Sequence, residues 1–199
     1  IPDSAGATTV NKMCGSGMKA VMLAHDAIVA GTNSILVAGG MESMSNAPYL
    51  LPKARAGYRL GHQEVKDHMF LDGLEDAYDR GRLMGTFAED TARHYQFTRE
   101  DQDAFAVASL ERAQKAINDG SFADEITPVP VKTRSGAAEV VIDEQPGKAR
   151  IDKIPTLKPA FAKDGTVTAA NSSSISDGAA ALVLMRRSEA ERRGLAPIA

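Results

Sequence analysis

A cysteine beside glycines, at the junction of a segment rich in strand-forming residues and a helical pattern, is the feature that most constrains the fold. Residues 8–13, Thr-Thr-Val-Asn-Lys-Met, are rich in strand-forming side chains, and Cys14-Gly15-Ser16-Gly17 follows them directly. Apolar side chains then recur at helical spacing from Met18 to Val29, and Gly31 is the expected stop. The pattern therefore predicts a strand, a sharp turn at Cys14 and a helix.

A second apolar segment follows that helix after a short connection. Residues 34–40, Ser-Ile-Leu-Val-Ala-Gly-Gly, form an apolar run ended by two glycines, which is typical of a strand buried on both faces. A strand, a helix and a strand with short connections form a βαβ unit, so we expect a sheet that is at least partly parallel. Near the end of the chain, residues 182–185 predict a further apolar strand. The predicted fold class is α/β.

The chain from Met41 to about Lys163 is polar and rich in prolines and charges, which is typical of an inserted segment. Thr98, with Asp101 three residues later, predicts a capping box for a helix that ends at Gly120. We also expect a helix over about 86–95, a turn at Ser135-Gly136 followed by a strand at 139–142, and a polar loop at 166–176. The acidic residues between 72 and 79 predict a solvated helix face.

Composition excludes several classes of function. With 23 basic and 26 acidic residues among 199, the net charge is −3, so the chain lacks the basic excess that nucleic-acid binding requires. No apolar run reaches the length of a membrane span. A single cysteine forms no internal disulfide and indicates a reducing compartment, so we predict a cytoplasmic protein. The residues that follow Ile1 show no basic segment followed by an apolar run, so we expect no secretory signal.

Cys14 is the candidate nucleophile. At the start of a helix, the positive end of the helix dipole and unpaired amides favour the thiolate over the thiol, and glycines let a substrate approach the backbone. The alternative is a buried cysteine that acts as a small apolar side chain. The cluster of Lys148, Arg150, Lys153 and Lys158 is either a site for a phosphate-bearing ligand or a solvated surface.

The four histidines are the candidate bases for a reactive thiol. His25 falls on the apolar face of the first predicted helix, which indicates a core position. His62 and His68 are six residues apart, a spacing that does not fit a metal-binding pair on one helix face, and His94 is expected in solvent. The sequence therefore offers no metal site.

Five segments in order resemble the thiolase family, most closely its acetyl-CoA acetyltransferases. The resemblance extends over nearly the whole chain and includes the turn at Cys14. The segments are VNKMCGSGMKA (10–20), VAGGMESMS (37–45), MGTFAEDT (84–91), EDQDAFA (100–106) and GTVTAANSS (165–173), the last continuing to DGAA (177–180).

The resemblance implies a covalent acyl-transfer activity. Cys14 would accept an acyl group from acyl-CoA as a thioester and pass it to acetyl-CoA, or to free CoA in the reverse thiolysis. Met84 and Ser173 fall at positions that line the acyl and pantetheine path, and Lys148 or Arg150 would approach the nucleotide phosphates. CoA thioesters are then the substrates, no separate cofactor is needed, and the full-length protein is expected to be a homotetramer.

The same resemblance implies a partial thiolase fold, the later part of the N-terminal βαβ half with an inserted α+β loop domain. It divides the chain into a core segment at 1–43, a loop domain at 44–163 and a return to the core at 164–199. The family's C-terminal half, with its Gly-His-Pro and Cys-x-Gly motifs, is not in the sequence, so we expect this chain alone to be inactive. Leu83 stands where short-chain thiolases commonly have a histidine, which puts the acyl-chain length in question.

Two further functions remain open at this point. One is a thiolase-fold fragment that binds CoA or a partner subunit without catalysis. The other is a cysteine hydrolase that uses Cys14 and releases the acyl group to water.

Overall fold

The described chain folds into α-helices of 5 to 21 residues and two-stranded antiparallel ladders. The structure was obtained as a computed structural model, which describes residues 1–134 and 136–198. The elements in chain order are α1 (Ser16–Val29), β1 (Ile35–Ser43), β2 (Tyr49–Leu50), β3 (Lys66–Asp67), α2 (Met84–Tyr95), α3 (Arg99–Asp119), β4 (Val129–Thr133), β5 (Gly136–Val140), α4 (Glu144–Lys148), β6 (Asp177–Met185) and α5 (Arg187–Arg192).

The chain divides into two compact units. The first unit contains Ile1–Leu74 and Ile175–Ala199, and the second unit contains Glu75–Ser174. The three-part division drawn from the resemblance stays a prediction. No helix in the described ranges is both long enough and apolar enough to cross a bilayer.

The main ladder of the first unit joins β1 to β6. The two strands are antiparallel, with Ile35 opposite Met185 and Ser43 opposite Asp177. The expected parallel βαβ sheet is therefore wrong for the described strands, whose ladders are all antiparallel. Residues 8–13 do not form the predicted strand, because a strand requires a hydrogen-bonded neighbour and only an isolated bridge from Lys12 to Cys14 is present there.

One face of this ladder is covered and the other is open. Helix α1 packs on β1, and Ala24, Ile28 and Ala38 are buried in their contact. On the opposite face Val37 is 49% exposed, and its cross-strand partner Val183 is 63% exposed. The prediction that residues 34–40 are buried on both faces is therefore wrong, because the described chain covers only the α1 side.

The buried face of α1 differs from the predicted apolar face. Met18 and Val29 are 72% and 68% exposed, whereas Ala24 and Ile28 are buried. Gly17 lies against Gly40 where α1 begins, so the side chains at helical spacing from Gly17, Ala24 and Ile28 among them, face β1. The predicted end of the helix is confirmed, since Gly31 has φ 77° just after Val29.

The second unit confirms the strongest sequence prediction. The Thr98 hydroxyl accepts a hydrogen bond from the Asp101 amide, the Asp101 carboxylate accepts the Thr98 amide, and α3 ends at Gly120 in the left-handed conformation. The helix predicted over about 86–95 is confirmed as α2, which begins two residues earlier.

The strand predicted at 139–142 is correct only in part. Strands β4 and β5 form an antiparallel hairpin that ends where Val129 faces Val140, because β4 offers no partner beyond that pair. Residues 141 and 142 therefore leave the ladder. Ser135, in the predicted turn, lies outside the described residues.

The acidic run does not form the predicted helix face. Asp72 belongs to a short π-helix, Phe70–Leu74, Glu75 forms an isolated bridge with Leu83, and Asp76 and Asp79 lie outside helices and strands. The Asp76 carboxylate accepts the amides of Tyr78 at 2.8 Å and Asp79 at 2.6 Å. Such local bonds satisfy the backbone without a helix, and they hold the pKa of Asp76 below its usual value.

Candidate active site at the Cys14 turn

Cys14 lies in a tight turn just before α1, whose first residue is Ser16. Met13 has φ 51°, an uncommon left-handed conformation for a residue with a side chain. Its amide donates to Asn11 Oδ1 at 3.0 Å, and its carbonyl accepts from the Ser16 hydroxyl at 2.8 Å. The Lys12 amide donates back to Ser16 Oγ at 2.9 Å, so side chains on both sides of Cys14 fix the turn.

The thiol is accessible. Cys14 is exposed, which contradicts the alternative of a buried cysteine serving as an apolar core residue. Exposure at the start of a helix is the arrangement that a cysteine nucleophile needs, because the incoming carbonyl carbon must reach the sulfur.

The glycines around the turn set how closely α1 approaches β1. A Cβ atom on Gly40 would lie 3.2 Å from the Gly17 Cα atom, tighter than ordinary packing. Gly39 is restricted by β6 instead of α1, since a Cβ atom there would lie 2.9 Å from the Ala181 Cα atom and would overlap the Ala180 carbonyl oxygen. The start of α1, and with it the Cys14 turn, is therefore seated directly against the β1 backbone.

The end of β1 is tied to the start of β6 by a carboxylate. Asp177 accepts hydrogen bonds from both the amide and the hydroxyl of Ser45. These bonds, the hydroxyl first, lower the pKa of Asp177. The carboxylate therefore fixes the chain as it leaves the β1–β6 ladder.

The histidines do not supply an evident base. His25 is exposed, with Nδ1 3.2 Å from the Asp26 carboxylate, so its predicted core position is wrong; the buried side of α1 is one residue away, at Ala24. His68 Nε2 lies 2.9 Å from Asp72, and His62 and His94 are exposed. Within the described chain no histidine hydrogen-bonds Cys14, and no three His, Cys, Asp or Glu residues form a metal-sized cluster.

The other candidate residues belong to the second unit. Met84 is the first residue of α2 and is 42% exposed. Ser173 is exposed in the polar loop, and its hydroxyl has no hydrogen-bond partner in the part of the chain that the structure describes. Lys148 pairs with Glu144 at 2.5 Å and Arg150 with Asp152 at 3.0 Å, both on the surface.

The loop that carries Ser173 is held by buried polar side chains that sequence reasoning missed. Glu89 accepts the amides of Thr166 at 3.0 Å and Val167 at 2.9 Å. Asn171 Nδ2 donates to Asp103 at 3.1 Å and to the Thr166 carbonyl at 3.0 Å. The signal available in the sequence was the position of Glu89, four residues after Gly85 and three before Ala92, which places this acidic side chain on the buried face of α2.

Comparisons with known proteins show the family to which the chain belongs. Residues 1–188 match the thiolase N-terminal domain. Acetyl-CoA acetyltransferase 1 from Arabidopsis thaliana is 53% identical to the chain; the match covers the whole chain and 48% of that protein. Acetyl-CoA acetyltransferase from Thiocystis violacea is 48% identical; the match covers the whole chain and 51% of that protein.

Solved structures give the same relationship. An acetyl-CoA acetyltransferase from Syntrophomonas wolfei superposes with a TM-score of 0.90 at 43% identity, over 98% of this chain and 49% of that one. A thiolase from Ascaris suum, solved in complex with coenzyme A, gives 0.88 at 41% identity, over 100% and 50%. The chain thus spans about half the length of its relatives, and it belongs to the thiolase family as an α/β N-terminal half.

Proposed function

We propose that the protein acts in acyl transfer between CoA thioesters through Cys14. The thiolate attacks the thioester carbonyl of acyl-CoA, the carbon–sulfur bond to CoA breaks, and CoA leaves as a thiolate that takes up a proton. The acyl group then passes to the α-carbon of acetyl-CoA, with loss of a proton there, or returns to CoA. The observation that carries this proposal is the exposed Cys14 in its fixed turn, in a chain about half-identical to acetyl-CoA acetyltransferases.

Four residues are proposed to contact the CoA thioester. Met84 and Ser173 would line the acyl and pantetheine path, and both have exposed side chains. Lys148 and Arg150 would face the nucleotide phosphates, which requires each to exchange an exposed ion pair for a phosphate contact. A relative solved with coenzyme A supports this ligand class.

A mass measurement tests the covalent step. The purified full-length protein is incubated with acetyl-CoA, its intact mass is recorded, and the adduct is located by peptide mapping. We expect one acetyl group on Cys14 and none in Cys14→Ser, since a hydroxyl is a far weaker nucleophile. Ser45→Ala, which lies in the same unit outside the turn, is the control that should acetylate normally.

Acetylation at another residue, or equal acetylation of Cys14→Ser, would remove Cys14 from the mechanism. Binding of CoA with no adduct would instead favour a thiolase-fold chain that binds CoA without catalysis. The observation behind this second function is that no histidine hydrogen-bonds Cys14 in the described chain. Release of acetate to water would indicate the hydrolase.

Assembly and location are proposals of the same kind. We expect a homotetramer for the full-length protein, which light scattering of that protein would test. The cytoplasmic location predicted from the single cysteine stays a prediction.

A further inference from the structure

Glu89 is a buried carboxylate that is balanced by backbone amides. Glu89 is 5% exposed, and no Lys, Arg or His in the described chain lies within ion-pair distance of its carboxylate. Its two oxygens instead accept the amides of Thr166, at 3.1 and 3.0 Å, and of Val167, at 2.9 Å. Because an unpaired buried charge is costly, these bonds require the loop to remain in one position whenever α2 is folded.

The loop is shaped to receive this carboxylate. A Cβ atom on Gly165 would lie 2.6 Å from the Glu89 carboxyl carbon and nearer still to Oε1, so only glycine permits the approach. Beyond the contact, Thr168 is fully buried, and its amide donates to Asn171 Oδ1 at 2.7 Å. The chain then reaches Ser172, whose hydroxyl donates to the Thr168 carbonyl at 2.6 Å, and exposed Ser173.

We propose that Glu89 is a positioning residue for CoA binding, which it serves by fixing the loop 165–173 and hence the Ser173 hydroxyl. This inference rests on the proposed function, since it takes Ser173 as a contact of the pantetheine arm. Glu89 itself touches no substrate; it acts through consecutive amides of a loop 77 residues away in sequence. The fixed loop presents the hydroxyl in one orientation, so little ordering is left for the ligand to impose.

Two variants perturb the contact from opposite sides. Glu89→Gln keeps the size of the side chain but turns one acceptor into a donor that faces the amide donors of the loop. Gly165→Ala keeps the Glu89 side chain chemically unchanged, but the new Cβ atom displaces its carboxylate from the loop. The matched control is Ala92→Gly, three residues further along α2, which removes a buried methyl group and lowers helix propensity but keeps the Glu89 carboxylate and its acceptor oxygens.

Three readouts separate positioning from stability. They are hydrogen–deuterium exchange of the 165–173 segment, the dissociation constant for CoA by equilibrium dialysis, and the rate of Cys14 alkylation by iodoacetamide. We expect Glu89→Gln and Gly165→Ala to speed exchange of the segment and to weaken CoA about tenfold, as losing one good polar contact would. Alkylation of Cys14 should be unchanged, and Ala92→Gly should lower the melting temperature with wild-type CoA affinity.

Wild-type exchange or wild-type CoA affinity in both loop-contact variants would overturn the positioning role. So would an equal loss of affinity in Ala92→Gly, because that would reduce the effect to stability. If the wild-type chain binds no CoA at all, the proposed function fails as well. If the wild-type chain and Glu89→Gln bind CoA equally well, only the positioning role fails.

Discussion

Replacing Gly39 by alanine should break the ladder on which the candidate nucleophile turn rests. The added Cβ atom would overlap the Ala180 carbonyl oxygen and lie 2.9 Å from the Ala181 Cα atom, both backbone atoms that cannot rotate away. Overpacking of this kind costs about 1–3 kcal/mol. Separating the strands at the Gly39–Ala181 pair loses a further ~1 kcal/mol for each ladder hydrogen bond broken.

The sum of roughly 3 kcal/mol is a large part of the stability of a typical domain, about 5–15 kcal/mol. With a urea m-value of about 2 kcal/mol/M it lowers the unfolding midpoint by about 1.5 M. Circular dichroism during urea unfolding measures the midpoint, and hydrogen exchange of peptides from β1 and β6 shows whether the loss is in this ladder.

The matched control is Gly178→Ala, also in the β1–β6 ladder. A Cβ atom there meets nothing within 4 Å, so the midpoint should stay within experimental error or rise slightly. Equal midpoints for Gly39→Ala, Gly178→Ala and wild type would refute the claim that close backbone approach at Gly39 determines this packing.

Three smaller effects should follow from single contacts. Thr98→Ala removes the capping box and should cost about 1 kcal/mol, read as a lower urea midpoint; an unchanged midpoint would contradict the cap. Arg186→Met removes the guanidinium bonds to the Ile28 carbonyl at 3.0 and 3.3 Å and should speed hydrogen exchange at the end of α1. Asp177 has a lowered pKa, so its carboxylate stabilises the folded chain above pH 3.8 and the contribution is lost as the pH falls through the lowered pKa. Wild type should therefore exceed Asp177→Asn in stability at neutral pH, and the difference should shrink in acid; a constant difference would contradict it.

Local signals predicted the elements that local interactions stabilise. The α3 helix was predictable because Thr98, Asp101 and Gly120 satisfy its ends within a few residues. Residues 8–13 have strand composition, but a strand forms only with a neighbour, which composition does not reveal. The buried side of α1 was mispredicted because the contact between Gly17 and Gly40 determines which face of the helix meets β1, and an apolar pattern within the helix does not show that contact.

The candidate site divides in the same way. Cys14 could be proposed as the candidate nucleophile because its glycines, its helix and its preceding segment are contiguous in sequence. Glu89 was not, since its role depends on amides 77 residues later and on the glycine that admits it. An acidic residue on an otherwise apolar helix face is the sign that would have drawn attention to it.

The polar contacts of the 165–173 loop also have a consequence for folding kinetics. Glu89 bonds Thr166 across 77 residues, and Asp103 bonds Asn171 across 68. Closing such long loops is entropically costly before any contact repays it, so the capped helix α3 should form early and the loop should dock late. Contacts made after the transition state chiefly slow unfolding, so the loss of Glu89 should speed unfolding far more than it slows refolding.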